Sequence, residues 1–155
     1  MISPELLRRY PFFGFLDDAQ LRAVAMIAEE VTADTSESLF EAEQPALALY
    51  LLVEGRVELW HIATDKHEQG LHQEFYIGDI NPGEILGISA VIEPYHYVSA
   101  ARVTGPTRVI RIEAAALRAL CEVDCKLGYG LMKQTAKAAL ERLHDTRIQL
   151  IAARA

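Results

Sequence analysis

The sequence predicts an α+β fold in which an antiparallel β-roll of the jelly-roll type lies between short N-terminal helices and a long C-terminal helix. Within residues 31–112, short stretches of β-branched and aromatic residues at alternate positions are separated by glycine, proline and asparagine. On both sides of this segment the apolar residues recur at helical spacing. We therefore predict one domain, 1–155, with N-terminal helices (1–30), a β-roll (31–112) and C-terminal helices (113–155).

The N-terminal helices are predicted from capping residues and from one apolar stripe. Ser3-Pro4 is a plausible helix start, with proline in the first turn. Asp17 is placed to cap a second helix. The apolar residues of that helix fall at i, i+3, i+4 and i+7, which predicts one face packed on a core. These residues are Leu21, Val24, Ala25 and Ala28.

Three turn signals divide the predicted roll. Glu54-Gly55 is typical of a tight hairpin turn, Asn81-Pro82-Gly83 predicts a second turn and Gly105-Pro106 a third. A roll of this kind has open ends and an interior that can hold a small ligand.

The C-terminal segment predicts a short helix over 113–123 and a long helix from about 126 to 153, capped by Asp124. The long helix carries apolar and small residues at heptad spacing over nearly three repeats. A small roll cannot bury this apolar face along the full length of such a helix. The face, called the seam here, therefore predicts packing against the same helix of a second copy. The alternative is a helix that packs only on its own roll. The seam consists of Met132, Ala136, Ala139, Leu143, Thr146 and Leu150.

Composition excludes several classes of protein. The net charge of −7 argues against direct nucleic-acid binding, which needs a basic face. The apolar runs are short, and the N-terminus has no secretory signal pattern, so we expect no membrane segment and a cytoplasmic location. Cys121 and Cys125 are too few for a disulfide framework.

Four stretches in this order resemble the cyclic nucleotide-binding domain of the CRP/FNR regulator family. ALYLLVEGRVEL (48–59) is similar to its strand–turn–strand signature. Ile77-Gly78-Asp79 and Pro82-Gly83-Glu84 are similar to the lead-in to its phosphate-binding cassette. LGYGLMKQTAKAALERL (127–143) is similar to its dimerisation helix. The resemblance covers nearly the whole chain and implies a non-enzymatic sensor domain.

The resemblance also implies a cassette that has lost its charged contacts. The family pattern is Phe-Gly-Glu, followed by Pro-Arg-Ser/Ala-Ala, with the glutamate on the ribose and the arginine on the phosphate. Here the glutamate position is Ile88, and the arginine position is placed at Tyr97. We therefore predict that cyclic AMP and cyclic GMP bind weakly or not at all in the usual mode, and we predict no cofactor. The candidate ligand-binding residues are Leu86, Gly87, Ile88, Ser89, Tyr97, Val98 and Ser99.

The chain departs from the family pattern at two glycine positions, and its charged residues near the cassette do not restore the missing pair. Glycines that the family has in the first roll strands are replaced by Ser36 and Glu43. Glu84 and Arg102 are close to the cassette in sequence, but their positions do not match those of the missing pair.

Metal and haem sites are weaker hypotheses. His61, His67 and His72, with Glu74, lie near one predicted hairpin, but their spacing does not match a cupin metal site, and surface histidines are the preferred interpretation. His96, or a thiolate of the two cysteines, is a conceivable haem ligand. The chain has no Gly-x-Ser-x-Gly elbow and no phosphate-binding P-loop, so we predict no enzymatic activity.

The sequence thus favours a regulatory domain that binds an unknown small molecule and signals through its long helix, with the stretch 136–143 facing the pocket. The alternatives are a ligand-free dimeric interaction module, a cupin-like metal-binding protein or a haem-based sensor. The family usually attaches a helix-turn-helix after this helix. The sequence leaves open whether the chain stands alone or is one half of such a regulator, and which ligand it binds.

Overall fold

A computed structural model describes residues 1–64 and 72–155, so His67 lies outside the described residues. The predicted α+β fold, with an antiparallel roll and a long C-terminal helix, is confirmed. The helices are α1 Pro4–Arg8, α2 Asp18–Met26, α3 Ala114–Val123 and α4 Cys125–Arg154, with 3-10 helices at Pro11–Phe13 and Ile88–Val91. The strands are β1 Ala28–Ala33, β2 Ser38–Phe40, β3 Ala48–Glu54, β4 Val57–Thr64, β5 His72–Ile80, β6 Ile85–Leu86, β7 Ala100–Val103 and β8 Thr107–Glu113.

The predicted helix starts are confirmed by their hydrogen bonds. The Ser3 hydroxyl accepts the backbone N–H of Glu5 at 3.2 Å. Asp17 and Gln20 form a capping box, in which each side chain accepts the backbone N–H of the other at 2.8 and 2.9 Å. At the start of α4, the Asp124 carboxylate accepts the backbone N–H of Leu127 at 3.0 Å. Each bond satisfies a donor that the first helical turn leaves without an intrahelical partner.

The roll consists of two four-stranded antiparallel sheets, in the orders β1-β8-β3-β6 and β2-β7-β4-β5. All three predicted turns are present, and each of them passes the chain from one sheet to the other. The prediction of a hairpin at Glu54-Gly55 is therefore wrong, because β3 and β4 do not pair with each other. Gly55 has a φ of 104°, and a Cβ atom there would lie 2.5 Å from the Thr107 hydroxyl, so this corner requires glycine.

Strand β3 separates two halves of the core. Tyr50 packs inside the roll, where its ring lies 5.8 Å from the ring of Phe40. Leu49 faces the helices instead and packs with α2, α3 and the first turns of α4. Since both faces of β3 are covered, residues 48–52 are all buried. The helix-side layer is closely packed around a cavity of about 10 Å³, lined by Phe13, Phe15, Leu16, Val24, Leu49, Ile112, Leu117, Leu127 and Leu131.

The two positions at which family glycines are replaced keep the backbone conformation of glycine. Ser36 has a φ of 76° and Glu43 a φ of 68°, both in the left-handed region. The Glu43 N–H donates to the carbonyl oxygen of Tyr97 at 2.7 Å, and the Ser36 N–H donates to that of Val103 at 3.3 Å. These backbone hydrogen bonds hold the two residues in a conformation that is unfavourable for residues with a Cβ atom.

Only the N-terminal half of α4 is buried against the rest of the domain, through Leu127, Gly128, Leu131 and Thr135. The predicted seam lies on a neighbouring face and is largely exposed: Leu143 is 44% and Leu150 51% exposed. Ala136, Ala139 and Thr146 are also exposed, whereas Met132 is partly buried against the core. A dimer through this seam stays a prediction.

Candidate functional site

The backbone of the predicted cassette is present. Leu86 ends β6 in the core, and Gly87 follows in the left-handed conformation, with φ 77° and ψ 35°. The 3-10 helix Ile88–Val91 begins directly after it. Ile88 and Ser89 are half-buried. The aliphatic side chain of Ile88 has no atom that could accept a hydrogen bond from a ribose hydroxyl.

Tyr97 points into the roll and not toward solvent. Its side chain is 5% exposed, and its ring stacks on that of Phe40 at 3.8 Å between centroids, with an interplanar angle of 13°. Its hydroxyl donates to the Ala48 carbonyl oxygen at 2.6 Å and accepts the Ala48 N–H at 3.2 Å. Burial raises the pKa of Tyr97 to about 12, so the phenol stays neutral and keeps both bonds at physiological pH.

The interior beneath Gly87 is filled by side chains of the protein. A Cβ atom at Gly87 would lie 3.2 Å from both the Ala48 carbonyl oxygen and the Tyr97 ring, and 3.4 Å from the Phe40 ring. A ligand that entered the roll on this side of the cassette would therefore have to displace the stacked pair Phe40–Tyr97. The glycine itself is required both by its positive φ and by this close approach.

The assignment of the arginine position to Tyr97 stays a prediction. In the family pattern the arginine directly precedes a Ser/Ala-Ala pair. Here Val98 directly precedes Ser99-Ala100, and its side chain is 78% exposed, whereas that of Tyr97 is enclosed. By this pattern Val98 is a second candidate for the arginine position. The chemical conclusion is unchanged, because neither residue carries a positive charge.

The two charged residues near the cassette are engaged elsewhere. Arg102 forms a bidentate pair with Glu74, at 2.6 and 2.8 Å, and its guanidinium lies 5.5 Å from the Trp60 ring. This pairing lowers the pKa of Glu74. The Glu84 carboxylate accepts the backbone N–H of Asn81 at 3.1 Å and so supports the turn before β6. Neither residue replaces the missing ligand contacts.

Sequence reasoning missed Arg118, which fastens the cassette to α3. Its guanidinium donates to the carbonyl oxygen of Ala90, in the cassette helix, at 2.6 Å. It also lies 4.2 Å from the centroid of the Tyr95 ring, a cation–π distance. The sequence contains no signal for this contact, because an isolated arginine on a short helix is typical of a solvated face.

An open groove of about 500 Å³ lies on one flank of α4, between that helix, the first 3-10 helix and the start of β6. The Arg142 guanidinium lines it and donates to the carbonyl oxygen of Ile85. Four α4 residues of the stretch predicted to face the pocket, 136–143, are in this lining: Lys137, Ala138, Glu141 and Arg142. The remaining lining residues are Pro11, Phe12, Gly83, Glu84, Ile85, Gln134 and Asp145.

Within residues 1–64 and 72–155, no three histidine, cysteine, aspartate or glutamate side chains are grouped so that they could hold a metal ion. His96 Nδ1 lies 2.9 Å from the carbonyl oxygen of Pro94. Cys125 is exposed, and burial raises the pKa of the half-buried Cys121 thiol, which favours its unreactive form. Among the described helices, none combines the length and the hydrophobicity that a membrane crossing requires.

Comparison with known proteins agrees with this architecture. The profile of the cyclic nucleotide-binding domain matches residues 30–124. A solved structure from Geobacter metallireducens, assigned to the cyclic nucleotide-binding proteins, is 42% identical, with a TM-score of 0.81; the match covers 93% of this chain and 100% of the other. No curated protein sequence matches the chain.

Two more distant structures share the fold. The N-terminal domain of a transcriptional regulator from Streptomyces coelicolor is 23% identical, with a TM-score of 0.66, over 88% of this chain and 93% of the other. The sensor domain of the transcriptional regulator DNR from Pseudomonas aeruginosa is 20% identical, with a TM-score of 0.69, over 87% and 91%.

The fold and the cassette backbone thus define a β-roll domain of the class found in cyclic nucleotide-binding proteins and in the sensor domains of transcriptional regulators. The chain belongs to the cyclic nucleotide-binding domain family. The resemblance seen in the sequence is confirmed, and domains of this family are generally non-catalytic.

Proposed function

We propose that this domain is a non-catalytic sensor that acts as a homodimer through α4 and does not bind cyclic nucleotides in the usual mode of its family. The observation that carries the proposal is the Phe40–Tyr97 stack beneath Gly87, held by two hydrogen bonds to Ala48. The roll interior at the cassette is occupied by protein, and the charged contacts of the family are absent at Ile88 and Val98.

The expected loss of nucleotide affinity is large. A hydrogen bond to a charged group contributes about 1.5–3 kcal/mol. Losing the arginine–phosphate and glutamate–ribose contacts together therefore weakens binding by about a hundredfold to ten-thousandfold. Displacing the stacked rings adds a further cost, because the Ala48 N–H and carbonyl oxygen would lose their partner in the interior.

Within the described residues, the groove beside α4 is a space open to a small molecule. Its volume of about 500 Å³ lies within the range of about 300–1,000 Å³ that is typical of ligand pockets. It is formed by α4 on one side and by the start of β6 on the other. A ligand that binds one arrangement of these two elements more tightly than another shifts the position of α4, which is how binding would become a signal.

The test is isothermal titration of cyclic AMP and cyclic GMP into the purified chain, with the absorption spectrum and metal content recorded on the same sample. We expect no binding heat at nucleotide concentrations up to about a millimolar, because both charged contacts are missing and the stacked rings would have to be displaced. Micromolar binding of either nucleotide would overturn the proposal. A haem spectrum or stoichiometric metal would favour the haem or cupin alternative instead.

A ligand-free dimeric interaction module is the second candidate, and the filled roll interior favours it. In that case the seam of α4 would be the working surface, and the groove would have no ligand. Because the chain has a net charge of −7, we also propose that this domain does not itself contact nucleic acid.

A further inference from the structure

The α4 groove has an unusual distribution of charge. Two cations, Lys137 and Arg142, and three carboxylates, Glu84, Glu141 and Asp145, line the same space. Among residues 1–64 and 72–155, none of these five side chains has an oppositely charged group within 4.0 Å. Both signs of charge therefore line the groove without a direct ion pair between them in the described part of the chain.

Arg142 is the most constrained of these groups. It lies on the inner wall of the groove, where one of its five N–H donors is used by the carbonyl oxygen of Ile85. Burial lowers the pKa of its guanidinium, an effect that the nearby charges of Glu84 and Glu141 oppose. A partly buried guanidinium without a carboxylate partner favours an incoming carboxylate, which it can bind in a bidentate manner.

The carboxylates of the groove lie on both of its sides. Lys137, Glu141 and Asp145 follow one another at intervals of four residues and therefore lie on one side of α4. Glu84 approaches from the opposite wall, at the start of β6. These acids repel a phosphate or a dicarboxylate, whereas Arg142 repels a simple cation. A molecule with one negative and one positive group can therefore pair with Arg142 and with the carboxylates at the same time.

The rest of the lining is apolar. Pro11, Phe12, Ile85 and Ala138 contribute carbon surface between the two charged walls. Such surface suits an apolar or aromatic side chain on the ligand.

We propose that the groove between α4 and β6 binds a free α-amino acid with an apolar or aromatic side chain. The ligand carboxylate pairs with Arg142, its ammonium group lies among Glu84, Glu141 and Asp145, and its side chain contacts Phe12 and Ile85. This inference rests on the proposed function, since it names the ligand class of that sensor. The groove lining shares none of the cassette residues from Leu86 to Ser99, so the site differs from the cassette.

The test begins with thermal unfolding of the full chain in the presence of each of the apolar and aromatic L-amino acids, followed by titration calorimetry of those that raise the midpoint. At least one is expected to bind with measurable heat. The same compound without its amino group, and its carboxamide, are expected to bind at least about tenfold more weakly, because each loses one charged contact. If no amino acid binds, or if the des-amino compound binds equally well, the proposal is overturned.

Variants locate the site. Arg142→Gln keeps a donor for the Ile85 carbonyl oxygen but removes the charge, and Glu141→Gln changes an exposed residue that forms no ion pair within the described part of the chain. Each is expected to weaken binding by about tenfold or more. Arg147→Gln and Glu122→Gln are the matched controls outside the groove, and they should bind as the parent does. If both groove variants bind the amino acid as tightly as the parent chain does, the assignment of the site to this groove is contradicted.

The two proposals fail differently. If cyclic nucleotides bind tightly, the proposed function fails whatever the amino acids do. If nucleotides do not bind, the chain is a dimer and no amino acid binds, the groove inference fails, whereas the proposal of a dimer that does not bind cyclic nucleotides stands.

Discussion

Tyr97 lies where a sequence comparison places a ligand contact, but it is a structural residue of the roll interior. Its hydroxyl is both donor and acceptor to the same residue, Ala48, and its ring covers Phe40. Interior polar groups that lose their partners are costly, so this pair stabilises the register between β3 and the segment before β7. A residue that fills the roll in this way also excludes a ligand from the same space.

Replacing Tyr97 by phenylalanine is expected to destabilise the domain by about 1–3 kcal/mol, because Ala48 keeps a buried N–H and carbonyl oxygen without the phenol. Urea unfolding followed by circular dichroism measures the change. Tyr129→Phe, on the exposed face of α4, is the control and should leave the midpoint unchanged. Equal stability of the two variants would show that the hydroxyl contributes nothing.

Substitutions at Ser36 and Glu43, unlike the one at Tyr97, are expected to stabilise the domain. Both residues have a left-handed backbone, which costs a residue with a Cβ atom about 1–2 kcal/mol, whereas glycine adds about 0.5–1 kcal/mol of unfolded-state entropy. Ser36→Gly and Glu43→Gly should therefore each stabilise the domain, by about 0.5–1 kcal/mol. Thermal unfolding tests this, with Ser38→Gly, in strand β2, as a control that should destabilise. A lower midpoint for both glycine variants would refute the strain argument.

At the scale of elements, the cassette is held from the outside as well as from within. Arg118 joins the cassette helix to α3, and the cap of Asp124 joins α3 to α4. Gln20 of α2 donates to the other oxygen of Asp124 at 3.0 Å, so the elbow between α3 and α4 is also fixed to the N-terminal helices. These contacts give a continuous path between the cassette and the long helix.

Arg118→Ala is expected to loosen the cassette helix without unfolding the domain. The Ala90 carbonyl oxygen loses a charged donor, which corresponds to about 1.5–3 kcal/mol of local stability. Hydrogen exchange of the amides from Ala90 to Ile92 should become faster, while that of β8 should not change. The control is Arg111→Ala, whose side chain lies 3.8 Å from the Glu29 carboxylate and which should leave the exchange of residues 90–92 unchanged. Unchanged exchange at 90–92 would show that the clamp has no energetic role.

At the scale of the whole molecule, three faces of α4 have three different surroundings. One face is buried against the roll, one lines the groove, and the seam is exposed. The seam lies about a quarter of a turn from the buried face, since each residue rotates by about 100° around the helix. The same helix can therefore contact its own roll and a partner helix at once.

The dimer prediction belongs to this scale. Light scattering coupled to size-exclusion chromatography should give the mass of two chains for the parent and of one chain for Leu143→Asp, which places a charge in the seam. Val123→Asp is the matched control, because Val123 is 82% exposed but lies at the end of α3, outside the seam. A parent that elutes as a monomer, or a Leu143→Asp variant that stays dimeric, would contradict a dimer through this seam.

Local patterns in the sequence were sufficient to predict the helical segments, the β-roll and their order. The exception is Ala28, which was predicted on the second helix but begins β1, because α2 ends at Met26. The caps at Ser3, Asp17 and Asp124 depend on neighbouring residues only, and they are present as predicted. The turns of the roll lie where they were predicted, although the one at Glu54-Gly55 joins two sheets and does not close a hairpin. The replacement of charged residues in the cassette was also visible in the sequence, because it concerns residue identity and not position. The family followed from the order of these local motifs.

The tertiary structure alone decided which residues meet. The turn at Glu54-Gly55 looks the same in sequence whether it joins two paired strands or two sheets, since the difference lies in the partners of β3, far along the chain. The inward orientation of Tyr97, the clamp of Arg118 on Ala90 and the groove at Arg142 join residues 28 to 57 positions apart. Such contacts depend on the packing of complete elements, for which a single sequence contains no periodic signal.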